Sequence, residues 1–114
     1  MADDIVYINV EDGLKRMMNN GKLFSKLLLK FKSDTSLGET EAAFARGDLE
    51  SAKTSAHTLK GLAANLSLIE LYNQVLELET QLKAGSFNAD QMAIVKSVHA
   101  QTMIETDKVI EQYA

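Results

Sequence analysis

The chain is 114 residues long, enough for one domain spanning 1–114 with a sizeable core of its own. Apolar residues at 46% and charged residues at 25% exclude a disordered tail or low-complexity linker, and the lack of cysteine excludes a disulfide framework or thiolate metal site. The net charge of −4 discourages non-specific nucleic-acid binding, and no proline with only six glycines is too little turn punctuation for an all-β domain.

Met1 to Val10 carries Asp3 and Asp4 and no basic residue, so it does not read as a secretory signal. No stretch approaches the roughly 18 uncharged apolar residues that a membrane span requires. The expectation is a cytoplasmic helical protein without direct membrane insertion.

End signals then divide the chain into helices. Asn9 caps a short first helix carrying Val10, Leu14, Met17 and Met18, which stops near Asn19-Asn20-Gly21. A second helix has Leu23, Leu27 and Phe31 on one side, with Phe24 and Leu28 beside them. Ser36 with Glu39 reads as a capping box opening a third helix, which ends at Arg46-Gly47. Asp48 caps the fourth. Ser67 with Glu70 reads as a second capping box, so one helix ends near Leu66 and the next starts at once. Gly85 closes the fifth helix, and Asn88 with Gln91 opens the last.

The apolar spacing gives the same division. Leu49, Ala52, Ala56, Leu59, Ala63 and Leu66 recur in steps of three and four, as do Leu68, Leu71, Val75, Leu78 and Leu82. Long amphipathic helices with short connections predict an all-α, antiparallel up-down four-helix bundle, with the short N-terminal helix packed against it.

The two histidines occupy opposite kinds of position. His99 falls on the stripe Met92, Val95, His99, Met103, Ile110 and Tyr113 and points toward the bundle or its edge. His57 lies roughly 130° from the centre of its helix's apolar stripe and faces solvent in mid-helix. Its helical neighbours are Lys53, Lys60, Gly61 and Ala64. A mid-helix glycine costs about 0.5–1 kcal/mol relative to alanine, and Gly61, one turn beyond the ring, clears the space above it.

Folding back at Leu66/Ser67 puts residues 76–79 level with His57. Glu77 points away, whereas Glu79 borders the apolar stripe and reaches across the groove toward the imidazole. A carboxylate accepting one ring N–H fixes the tautomer and turns the other nitrogen's lone pair outward. The plainer alternative for Glu79 is a surface pair with Lys83, four residues on.

The run Ala56-His57-Thr58-Leu59-Lys60-Gly61-Leu62-Ala63-Ala64-Asn65-Leu66 resembles the signature of histidine-containing phosphotransfer (HPt) domains. The resemblance extends to Gly47-Asp48-Leu49, Leu78-Glu79 and Leu23-Phe24-Ser25-Lys26. One position departs: family members usually have glycine where this chain has Ser67, which is expected to cap the following helix at little cost. The resemblance implies a carrier in a two-component phosphorelay. It makes His57 the phosphoacceptor, Lys60 the lysine near the phosphoryl group, Gly61 the access glycine and Glu79 the partner of the imidazole.

A neutral imidazole can attack phosphorus in line, whereas no G-x-x-x-x-G-K-[ST] loop is present to bind a nucleotide, so a carrier is expected rather than an enzyme. The chain is expected to need no cofactor of its own. Mg²⁺ comes with the response-regulator receiver domain, and a hybrid sensor histidine kinase is the other implied partner. Gly61, Ala64 and Thr58 are small enough to let a partner approach, with Lys53 beside them. By resemblance Phe24 and Met17 contribute to docking; the alternative for both is core packing. No symmetric apolar seam stands out, which predicts a monomer. Two other readings are an unphosphorylated bundle that only binds receivers, and a metal-dependent hydrolase using His57, for which no second ligand stands at helical spacing.

Overall fold

Six helices follow one another among the described residues, 5–113, of the computed structural model: α1 (Val10–Arg16), α2 (Gly21–Lys32), α3 (Ser36–Ala45), α4 (Leu49–Asn65), α5 (Ile69–Lys83) and α6 (Ala89–Tyr113). The acidic pair Asp3–Asp4 lies outside the described residues. No described helix is long and apolar enough to cross a membrane.

Most of the ends follow local chemistry. The side chains of Asn9, Asn20, Asp48 and Asn88 accept hydrogen bonds from backbone N–H groups in the first turns of α1, α2, α4 and α6. Gly47 and Gly85 take φ of +71° and +82° just past the ends of α3 and α5, which glycine adopts without steric penalty. After α1 the left-handed residues are Met18 and Asn19, while Gly21 is the first residue of α2.

Neither Ser-x-x-Glu sequence forms the expected capping box. Ser36 is buried inside α3; its N–H donates to Asp34 Oδ2 at 2.8 Å, and Thr35 donates to Glu39 Oε2 at 2.6 Å. Ser67 takes φ +57°, and Leu68 flanks the start of α5 with no side-chain cap. A capping serine needs extended backbone, which the left-handed Ser67 lacks. A side chain in this conformation costs about 1–2 kcal/mol, a penalty that glycine would not carry.

The bundle has four arms. α4 packs most closely against α3 on one side and α5 on the other. Three of its four fully buried residues inside the helix, Ala52, Ala56 and Ala63, are alanines, so its neighbours approach closely. α5 supplies Leu71, Val75, Leu78 and Leu82 to the core, and α6 supplies Met92, Val95 and Val109. The first arm is broken into α2 and α3. Ser25 Oγ donates to the Ile110 carbonyl at 3.4 Å, the Phe31 ring centre lies 5.6 Å from that of His99, and Lys96 reaches Glu41 at 3.0 Å. Residue numbers therefore rise along α2–α3 as they fall along α6, and the expected up-down order holds. The buried face of α6 also includes Thr102 and Thr106, outside the purely apolar stripe; Thr102 Oγ1 donates to the Val98 carbonyl at 2.7 Å, which lets a hydroxyl sit inside.

α1 lies over α2, and Gly13 is the point of contact: a Cβ there would collide with the Phe24 ring. Phe24 is consequently buried in the core, and it cannot be a docking residue as its place in the motif suggested. Met17 is half-buried at the end of α1 and also packs on the core, with part of its side chain left in a groove.

His99 packs on Phe31, and burial lowers its pKa below the ordinary histidine value against the opposing pull of Asp34 and Glu41. The unfolded chain therefore takes up this proton before the folded one. Stability is expected to fall as pH drops below about 6.5, and the fall ends once the folded ring also protonates. Melting temperatures between pH 7 and pH 5 check this: the slope should flatten in His99→Gln.

Candidate functional site

The α4–α5 hairpin brings His57 and Glu79 together across 22 residues of sequence. Two short-range causes set this up. Asp48 fixes the start of α4 through Ser51, and the Leu66–Leu68 turn reverses the chain through Leu68 N–H donating to the Ala63 carbonyl at 2.9 Å. The stripes of the two helices then pack together, and Glu79 lies level with His57.

His57 Nδ1 stands 3.0 Å from Glu79 Oε2. The imidazole is 70% exposed, while the glutamate side chain is only 3% exposed. Lys60 Nζ lies 2.6 Å from the other oxygen, Oε1, and Lys83 Nζ stands 3.8 Å from Oε2. Burial alone would raise the Glu79 carboxyl, but hydrogen bonds from Lys60 and His57 and the charges of Lys60 and Lys83 outweigh it, holding it below the ordinary carboxylate value. Glu79 is an ionised, buried acceptor that faces the exposed ring. Glu77 points to solvent and pairs with Gln81.

The remaining candidates fall into two groups. Gly61 and Thr58 are exposed and Ala64 is half-buried, all on the His57 side of α4. A Cβ added at Gly61 would meet nothing within 4 Å, so the glycine makes room for nothing among the described residues. Thr58 Oγ1 is turned back to the Thr54 carbonyl at 3.1 Å. Lys53 is not brought to Glu79; it pairs with Glu50 at 2.9 Å. Lys60 is likewise paired with Glu79, so each of these lysines is already matched to a carboxylate.

Sequence reasoning treated Lys83 only as a competitor for Glu79. The i,i+4 spacing was the available signal, and the structure has Lys83 and His57 sharing one carboxylate oxygen. A groove of about 650 Å³ lies between α1, α2 and the end of α4, lined by Arg16, Met17, Leu27, Lys30, Leu62 and Asn65 among others. It begins beyond His57 along α4 and does not include it. Among the described residues no three His, Asp or Glu side chains cluster so as to hold a metal ion.

The Hpt domain family model matches residues 28–110. Neither the curated proteins nor the solved structures compared with the chain gave a match. The matched span holds the whole α4–α5 hairpin and runs through most of α6. A family match over most of the chain, including an exposed histidine paired with a buried carboxylate, makes this protein a member of the Hpt domain family, whose domains are phosphocarriers on histidine in phosphorelays and interact with receiver domains and kinases.

Proposed function

We propose that this protein is a carrier in a two-component phosphorelay, in which His57 accepts a phosphoryl group from the aspartate of one receiver domain and delivers it to another. The observation that carries this reading is the pairing of a 70% exposed imidazole with a 3% exposed carboxylate 3.0 Å from Nδ1. Glu79, ionised at neutral pH, accepts a hydrogen bond from Nδ1–H and leaves the Nε2 lone pair facing solvent.

Transfer then proceeds in line. The Nε2 lone pair forms the N–P bond as the bond from phosphorus to the aspartyl oxygen breaks, and the aspartate leaves with that electron pair as a carboxylate. No proton has to leave Nε2, because that nitrogen carries none. The positive charge developing on the ring is delocalised to Nδ1–H, which donates to Glu79. Lys60 keeps Glu79 ionised and stands beside the phosphoryl group, and Gly61, Ala64 and Thr58 leave room for the receiver. The receiver brings Mg²⁺ and its acidic pocket, and a hybrid sensor kinase feeds the relay. The protein acts in the cytoplasm as a monomer, without nucleotide binding.

The test is incubation with a receiver domain charged by acetyl phosphate and Mg²⁺. The protein should acquire phosphate that is labile in acid and stable in alkali; no such label would overturn the reading. Glu79→Ala should slow transfer by about tenfold or more, the scale for losing a carboxylate that orients a histidine, with the label still on His57. Glu79→Gln, whose amide oxygen still accepts from Nδ1, should recover part of the rate. Stopped-time transfer assays read both, and an unchanged rate in Glu79→Ala would make the carboxylate a purely structural group.

A further inference from the structure

Ser67, in the α4–α5 turn, joins that hairpin to the start of α1. Its carbonyl accepts from Asn9 N–H at 2.9 Å, and its hydroxyl donates to Asp12 Oδ2 at 2.5 Å. Both contacts fall on the first turn of α1, a seven-residue helix too short to persist by itself. The same Asp12 oxygen accepts from Arg16 Nε at 2.9 Å, so a chain of polar contacts runs from the hairpin turn through Asp12 to a guanidinium. Ser67 is 5% exposed and left-handed at φ +57°. Glycine would take that backbone without strain but would have no hydroxyl to make this link.

The end of α1 reaches the His57 side of α4. At about 100° per residue, Ala64 lies roughly 20° to one side of the His57 direction and Asn65 roughly 80° to the other. Arg16 lines the groove that contains Asn65 and also a second depression, of about 270 Å³, that contains Ala64 and Ser67. Arg16 therefore borders α4 near Ala64 and Asn65, which lie about two helical turns beyond His57. Arg16 is half exposed and cationic, whereas a receiver's phosphorylated pocket is acidic.

We propose that Ser67 is a positioning residue for partner docking: its hydroxyl latches α1 to the α4–α5 turn and so fixes Arg16 as a cationic ledge beside the phosphotransfer face. The docking half of this rests on the phosphocarrier reading; the latch half does not.

Two measurements on the full chain separate them. In Ser67→Gly, which relieves the backbone while removing the hydroxyl, amide exchange in residues 10–17 should speed up about tenfold, the equivalent of one lost hydrogen bond to a charged group. Exchange in α4 and α5 should be unchanged. With a receiver domain charged by acetyl phosphate, the half-saturating receiver concentration should rise about fivefold while the saturated transfer rate stays the same, as for loss of a docking charge. Arg16→Ala should give the same split, and the double variant should be no worse than either single one. Unchanged exchange in Ser67→Gly would overturn the latch. Faster exchange with an unchanged half-saturation would overturn the docking role. Failure of the wild-type chain to take phosphate would overturn the carrier reading and the docking role together, while the exchange arm still decides the latch.

Discussion

His57→Gln is expected to abolish phosphate uptake from a charged receiver while leaving the fold intact. The ring is 70% exposed and is not among the buried core residues, so the substitution should change stability by no more than about 0.5 kcal/mol. Glu79 keeps Lys60 at 2.6 Å, so no buried carboxylate is left without a partner. Glutamine retains polarity at the site but has no lone pair on a nucleophilic ring nitrogen, and the N–P bond cannot form. The measurement is radiolabel retained after alkaline treatment, with circular dichroism as the control for folding. His99, the second histidine of the chain, is half-buried against Phe31, so it should not substitute. Alkali-stable label persisting in His57→Gln would remove His57 from the mechanism.

The second large effect concerns space. Replacing Gly61 with leucine or tryptophan should block transfer and leave helical content the same or slightly higher. The two halves of this expectation have separate causes. A Cβ at Gly61 meets nothing within 4 Å, so the fold has no steric objection, and a helix interior gains about 0.5–1 kcal/mol when glycine is replaced by a good helix former such as leucine. The new side chain projects one turn from His57 into the volume a receiver must enter. A misplacement of about 1 Å at a reacting centre costs on the order of a hundredfold in rate, and transfer should fall at least that far. Gly61→Ala should lie between. Gly61 weakens its own helix and makes room for nothing among the described residues, which fits the proposed approach of a receiver from outside. A normal transfer rate in Gly61→Trp would mean that no partner uses this space.

Much of this arrangement was legible in the amino-acid order because its causes are local. Asn9, Asp48, Gly47, Gly85 and Asn88 mark helix ends through hydrogen bonds or φ values spanning two to four residues. The exposure of His57 followed from helical periodicity, and its proximity to Glu79 needed only a hairpin with a known turning point. Phe24 is different. Its position beside the Leu23–Leu27–Phe31 row fits either an inner or an outer face, and it is buried because Gly13 of another helix rests on its ring.

The two Ser-x-x-Glu runs show the same division. As strings they are alike, yet Ser36 is buried within the first turn of α3 and Ser67 is left-handed and bonded to Asp12, 55 residues away. A motif spanning four residues holds no information about a partner that distant.

Sequence by itself determined the helices, their order and the outward turn of one imidazole, since each depends on neighbours within about one helical turn. Tertiary structure decided which charges meet: Glu79 is buried with Lys60 against one oxygen, and His57 and Lys83 share the other. A carboxylate's partners depend on which helices close over it, and the low-dielectric setting that makes those contacts matter exists only once the bundle has formed.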